Sequence, residues 1–330
     1  MERIGLIHGE GGKHTQELIK NLFYKQFNNE ELIKDKDAAV LALSQKSIAF
    51  TTDSFVVKPL FFNGGDIGRL CICGTVNDLV TSFALPKYLS LSFIIEEGFD
   101  FKDLEKIVVS IKNTAIIAEV QIVTGDTKVV EKGMADGIFI NTSGIGIVEK
   151  NIVNCPEVGD KIIITSTIAE HGTAIAMDRY NLEILGDIRS DVKPLNDLIP
   201  ILEEYSGHIK LLKDPTRGGI GQCFNEIIER YDIGIRLYEE EIPIRKEVET
   251  FNEIIGLDPY YLASEGVMIL IVKDEVSESV IRKLKSDKKY ENAAIVGEVV
   301  NENKKVIIEN KFGGRRVLKE LEGIMLPRIC

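Results

Sequence analysis

The chain has 330 residues, 44% of them hydrophobic and 28% charged, with a formal net charge of −12. That length implies two domains of ~100–200 residues, with core enough to need no disulfide or metal staple. The acidic balance excludes a nucleic-acid partner, which needs clustered Lys and Arg; the lack of an apolar run near ~20 residues excludes a membrane span, and Met1-Glu2-Arg3 opens no secretory leader, so a cytoplasmic protein is expected.

Gly9-Glu10-Gly11-Gly12-Lys13 precedes an amphipathic helix predicted over 15–27. It is not a P-loop, because Ile7 stands where the first Gly belongs and His14 follows Lys13 in place of Ser or Thr. A glycine-rich lid and a plain flexible start are both compatible with it. Strands are expected at 39–43 and 47–52, the second stopping at Asp53, then a helix at 67–84 and a strand at 88–95. Residues 101–117 carry helical period, with Leu104, Ile107, Val108 and Ile111 on one face. A strand at 120–124, a Gly125-Asp126-Thr127-Lys128 turn and a strand at 137–142 follow.

Asn, Pro, Gly and Asp cluster over 151–160, which sets a domain boundary between 1–150 and 151–330. The second half reads as strands at 161–165, 209–212, 233–238, 267–272, 294–300 and 305–309. Helices fall at 172–180, 219–231, 245–255 and 276–285. The expected class is α+β, as two mixed α/β domains.

Aspartates beside small residues recur at predicted strand ends: Asp35, Asp37, Asp53, Asp66, Asp78, Asp126 and Asp214. Such loops are where mixed α/β proteins place ligands. Hard divalent cations take oxygen ligands, and Mg²⁺ commonly combines one or two carboxylates with substrate phosphates. Taken singly, each Asp reads first as a turn or cap residue, Asp35 and Asp66 most of all. Asp126 with Lys128 joins a metal-binding to a phosphate-binding residue type straight after a strand. Arg217-Gly218-Gly219 offers a guanidinium and helix N-terminal amides to phosphate. His171 stands at a helix start, where a cap and a site role are equally open.

Five scattered cysteines make no disulfide framework in a reducing compartment. Cys71 and Cys73 read as core rather than zinc ligands, since no second Cys or His pair has ligand spacing. Cys223 reads as core within a helix, and Cys155 falls in the boundary loop. Cys330 ends the sequence after Pro327, which keeps the last residues out of a helix. Its position alone reads as accidental, but a thiol on an extended tail gains reach of ~3.3 Å per residue.

The stretches TTDSFVVKPLFFNGGDIGRLCICGTVNDL (51–79), TGDTKVVEKG with DGIFINTSGIG (124–146), KDPTRGG (213–219) and PRIC (327–330) together closely resemble the HypE family of hydrogenase maturation proteins. The resemblance spans essentially the whole chain, in order. It implies the PurM-like two-domain fold shared with aminoimidazole ribonucleotide synthetase and selenophosphate synthetase, ATP and Mg²⁺ as cofactors, and a homodimer formed through the N-terminal domains. It also implies a carbamoyl group received on Cys330 from a HypF-type carbamoyltransferase and dehydrated to a thiocyanate. The cyanide then passes to iron on a HypC–HypD complex.

By the same resemblance, Asp37, Asp53 and Asp78 match metal-binding aspartates, with Asp214 a plausible addition. Lys128 would lie near phosphates and tail, and Glu265 would take the protons. Gly11, Gly12, Lys13, Asp66, Asn77, Asp126 and Arg217 complete the expected nucleotide site. Two other readings stay open: a synthetase acting on a free small molecule, and a non-catalytic scaffold.

Overall fold

The computed structural model describes residues 3–5, 8, 13–29, 47–148, 150, 152, 155–180, 182, 187–301, 304–321, 325–326 and 328–330. The expected strand at 39–43, Asp35, Asp37, Gly11 and Gly12 lie outside the described residues, as does the side chain of Lys13.

One sheet is built from β1 (Ile48–Phe55), β4 (Ala84–Glu96), β5 (Gln121–Val130) and β6 (Ile138–Val148), in the order β1-β6-β4-β5. Its strands pair antiparallel except β4 with β5, which are parallel and joined through the Phe101–Ile117 helix. Parallel neighbours need such a crossover. Asp100 starts that helix by accepting from the Lys102 and Asp103 N–H groups. A two-stranded ribbon, β2 (Phe61–Phe62) with β3 (Gly65–Asp66), leads into the Ile67–Thr81 helix.

The second sheet contains β7 (Lys161–Ile164), β8 (Ile209–Lys213), β9 (Gly234–Tyr238), β10 (Ile269–Val272), β11 (Ala294–Val300), β12 (Val306–Glu309) and β13 (Arg315–Val317). Their order is β13-β12-β9-β11-β7-β10-β8, antiparallel apart from β12 with β9. The four residues of β10 are all buried, as expected of a strand covered on both faces.

The Ile67–Thr81 helix holds the two halves together. Ile67, Leu70, Cys71, Ile72, Cys73, Val76, Leu79 and Val80 are buried right round it. A helix apolar on all sides must be enclosed on all sides. It packs on β1, β6, β4 and the Phe101–Ile117 helix, while Val80 and Phe83 join Leu195, Leu198 and Met268 in a core of the second half. Cys71, Cys73 and Cys223 are buried core residues, as expected.

Three expectations need correction. The strand at 47–52 does not stop at Asp53 but runs on to Phe55. The helix predicted to 84 ends at Thr81, because Phe83 takes a left-handed φ of 52° and the chain turns into β4. Residues 125–128 are not a turn: β5 runs straight through them, with Leu91 opposite Gly125 and Ile94 opposite Lys128. Gly125 is there for closeness, since a Cβ would stand 2.3 Å from the Leu91 carbonyl oxygen. Among the described residues no helix is long and apolar enough to cross a membrane.

Candidate active site

Residues far apart in sequence meet at a pocket of about 110 Å³ between the two sheets' ends, lined by Asp53, Asp78, Asp214, Arg217, Glu265 and Cys330 among others. Asp53 comes from β1, whose alternation sends Thr51, Asp53 and Phe55 to one face. Asp78 comes from the Ile67–Thr81 helix and accepts the Thr51 hydroxyl at 2.9 Å. Gly74, one turn earlier, lets strand and helix close: a Cβ there would stand 2.9 Å from the Phe55 ring.

Asp214 and Arg217 sit in the loop after β8. That loop is wedged under residues 260–262, where a Cβ on Gly219 would stand 2.6 Å from the Leu262 and Tyr260 carbonyl oxygens. Gly218 and Gly219 also take φ of 73° and 58°, which glycine adopts freely. The helix they open, Gly219–Tyr231, starts two residues after Arg217, which lines the pocket.

Glu265 is 2% exposed and its Oε1 has no hydrogen-bond partner in the structure. Its backbone is pinned instead. The Glu265 and Gly266 N–H groups donate to Asp191 at 3.2 and 3.0 Å, and the Glu265 carbonyl accepts from Asn77 Nδ2 at 3.1 Å. Burial, then the charges of Asp214, Asp191, Asp53 and Asp78, hold its carboxyl well above the ordinary range. Burial and Asp214 raise Asp78 to about 7, and burial also raises Asp53 and Asp214.

Cys330 closes the pocket. Its thiol is pushed up to about 12 by burial and then by Glu265, with Arg217 opposing. The last residues lie along 56–58: the Val56 N–H donates to the Cys330 carbonyl at 3.1 Å and the Lys58 N–H to the Arg328 carbonyl at 3.2 Å. Arg328 returns a bond to the Val56 carbonyl at 2.8 Å and joins Lys58 on Asp136.

Four expected site residues stand elsewhere. Asp66 is a helix cap, accepting from the Gly68 N–H at 2.7 Å, the Arg69 N–H at 3.1 Å and the Ser110 hydroxyl at 2.6 Å. Asn77 is 2% exposed, with its amide spent on the Lys193 and Glu265 carbonyls and the Leu195 N–H. It holds the Glu265 backbone in place. Asp126 and Lys128 pair with each other at 3.1 Å on β5, the sheet edge opposite β1, and do not line this pocket.

The carboxylate set suits a cation. Asp53, Asp78 and Asp214 offer hard oxygen donors whose mutual repulsion a divalent ion relieves. Among the described residues no group of three or more His, Cys, Asp or Glu side chains is arranged to hold a metal by itself. One or two carboxylates completed by phosphate oxygens is the usual Mg²⁺ pattern, and the set fits that.

Family models for AIR synthase related proteins match the chain twice, the N-terminal domain over residues 35–148 and the C-terminal domain over 157–310. Carbamoyl dehydratase HypE of Bradyrhizobium diazoefficiens is 42% identical over 332 residues, covering 99% of this chain and 96% of that protein. The Escherichia coli carbamoyl dehydratase HypE is 40% identical over 338 residues, covering 100% of both. The chain belongs to the HypE family. A solved HypE in complex with ATP superposes with a TM-score of 0.94 at 40% identity, covering 99% of each chain. A HypE–HypF complex gives 0.81 at 44% identity, covering 92% of this chain and 99% of that one. A thiamine monophosphate kinase of Aquifex aeolicus, 16% identical with a TM-score of 0.64, shares the fold alone. HypE proteins are carbamoyl dehydratases, and the chain is an enzyme of that kind within hydrogenase maturation.

Proposed function

We propose that the chain binds ATP with Mg²⁺ and dehydrates a carbamoyl group carried on its own Cys330 sulfur to a thiocyanate. The observation that carries this reading is the Cys330 side chain in one pocket with Asp53, Asp78, Asp214, Arg217 and Glu265. ATP binding by a superposable relative supports it.

The chemistry balances as follows. The S–C(=O)–NH₂ oxygen attacks the γ-phosphorus and ADP leaves. The C–O bond then breaks with phosphate as leaving group while nitrogen gives up its two protons, leaving S–C≡N. Asp53, Asp78 and Asp214 would hold the Mg²⁺, which spreads phosphate charge. Arg217 adds a fixed positive charge beside the tail. Glu265 is the proton acceptor: its carboxyl is buried, unpartnered at Oε1 and adjacent to the thiol. Burial, then the charges of Asp214, Asp191, Asp53 and Asp78, raise its carboxyl, so a cation neutralising those aspartates would lower it toward the range of a working base. The narrow pocket keeps water from hydrolysing the intermediate.

Loading belongs to an undocked tail. A thiol pushed up to about 12 is a poor nucleophile where it lies, so carbamoylation by a HypF-type partner needs Cys330 outside the pocket. A HypC–HypD-type complex would take the cyanide, in the cytoplasm. The division 1–150 and 151–330 and a homodimer complete the reading. The four-stranded sheet leaves Ile48, Phe50 and Ile94 exposed, an apolar face suited to a second copy. Lys128 stands opposite Ile94 in register, so its role near the phosphates would be played across that dimer.

Intact-mass spectrometry with carbamoyl phosphate, ATP and the carbamoyltransferase tests the reading. The wild type gains a carbamoyl mass and then loses one water; Cys330→Ala gains nothing. A carbamoyl mass that persists in Cys330→Ala sinks it.

A further inference from the structure

The tail's carbonyls face two ways. Those of Arg328 and Cys330 accept from the Lys58 and Val56 N–H groups on the first-domain side. The Ile329 carbonyl between them faces the other way and meets His171 Nε2 at 2.7 Å. A carbonyl only accepts, so Nε2 carries the proton. In a neutral imidazole Nδ1 then accepts, and the Ser190 hydroxyl, 2.8 Å away, is its donor. Ser190 Oγ accepts in turn from the Val192 N–H at 3.1 Å.

The ring has no room to do otherwise. His171 is 0% exposed, with Phe62 edge-on at 5.3 Å between centroids, and burial holds the imidazole below its ordinary pKa. About two turns along the same Glu170–Tyr180 helix, Arg179 donates to the Arg328 carbonyl at 2.9 Å and to the Lys58 carbonyl at 2.6 Å. One helix therefore grips the tail twice.

Ser190 has a second consequence through its neighbour. Asp191 is the residue whose carboxylate accepts the Glu265 and Gly266 N–H groups. The Ser190-Asp191 dipeptide thus orients His171, which holds the tail, and fixes the backbone of Glu265, which lines the same pocket as Cys330. The dipeptide is anchored itself by the Ser190 N–H on the Asn63 carbonyl at 2.8 Å.

We propose that His171, oriented by Ser190, is a positioning residue: its Nε2–H pins the Ile329 carbonyl and so sets Cys330 Sγ against Glu265 and the carboxylates. The consequence for dehydration rests on Cys330 being the carbamoyl carrier; the consequence for tail docking does not.

Timed iodoacetamide alkylation of the full chain, read by peptide mass spectrometry, measures docking directly. The exposed Cys155 serves as the accessible reference, and the buried Cys71, Cys73 and Cys223 report any general loosening. In His171→Leu, loss of the Nε2–H that donates to the buried Ile329 carbonyl raises Cys330 labelling about tenfold while the buried cysteines stay protected. Dehydration of preloaded carbamoyl-Cys330 falls by about the same factor, and loading by the carbamoyltransferase does not. His171→Gln, whose side-chain amide still donates, recovers both to within about threefold. Cys330 labelling that stays at the wild-type rate, or that rises together with Cys71, Cys73 and Cys223, overturns the proposal. Should His171→Leu fail to fold, Ser190→Ala decides: Cys330 labelling rises about threefold with the ring kept in place, and no rise overturns it. A wild type whose loaded Cys330 never loses water refutes the carrier reading instead, and the labelling arm then still decides the role of His171.

Discussion

Asp78 is held at about 7 chiefly by burial, then by the neighbouring charge of Asp214, with the Thr51 hydroxyl pulling the other way. In the unfolded chain it titrates at its ordinary value of 3.8, so the folded chain binds this proton more tightly. The stabilisation is therefore full below 3.8 and lost as pH rises through about 7. Allowing for partial solvent exposure, that loss is ~2–4 kcal/mol. Asp53 and Asp214, also raised by burial, push in the same direction. Thermal melts of the protein without nucleotide should fall steadily from pH 5 to pH 8, and Mg²⁺ with ATP should restore more stability at pH 8 than at pH 6. Asp78→Asn should flatten the pH slope; a variant whose slope matches wild type would remove Asp78 as its source. Glu265 and Cys330 follow the same physics, burial being the first cause that raises each.

At the scale of elements, the Ile67–Thr81 helix shows how one segment carries both structure and site. Its N-terminus is capped by Asp66, its middle is core, and Asp78 on its last turn faces the pocket. Asp66→Ala should cost about 1–2 kcal/mol, because it strips two helix N–H groups and the Ser110 hydroxyl of their acceptor. The expected result is a lower melting temperature with ATP affinity unchanged in calorimetric titration. Weakened ATP binding at an unaltered melting temperature would return Asp66 to the nucleotide site. Sequence patterning located this helix, the Phe101–Ile117 helix and most strands, because apolar period reports burial directly. It misread Gly125-Asp126 as a turn, since both residues favour turns in isolation and only the approach of β4 reveals why glycine is there. It placed Asp53, Asp78, Asp214, Arg217, Glu265 and Cys330 in one site through resemblance, and the fold brings all six together. Asp66 and Asn77 were drawn in by the same motifs, although Asp66 is taken up by two helix N–H groups and the Ser110 hydroxyl, and Asn77 by main-chain groups. His171 escaped assignment because its partner is the Ile329 carbonyl, and a main-chain contact across 158 residues leaves no trace in local sequence.

For the whole molecule the unresolved pairing is between Lys128 and the pocket. Within one chain, β1 with Asp53 and β5 with Lys128 are opposite edges of the four-stranded sheet, with β6 and β4 between them. Lys128 is 63% exposed and pairs with Asp126 at 3.1 Å, a surface pair of the kind that contributes little to stability. If a second copy covers the face bearing Ile48, Phe50 and Ile94, each site takes its carboxylates from one chain and Lys128 from the other. Closed dimers of this kind make a sharp prediction. Lys128→Ala and Asp53→Ala should each be inactive alone. Mixed after subunit exchange, half the dimers are heterodimers, and each of those holds one site with both residues intact. Carbamoyl dehydration should then return to about a quarter of the wild-type level. The readout is single-turnover water loss from carbamoyl-Cys330, followed by mass spectrometry on the equilibrated mixture. Lys128 acting within its own chain leaves every site in the mixture lacking one residue or the other, so activity staying at zero would place Lys128 in the same chain as the carboxylates it serves.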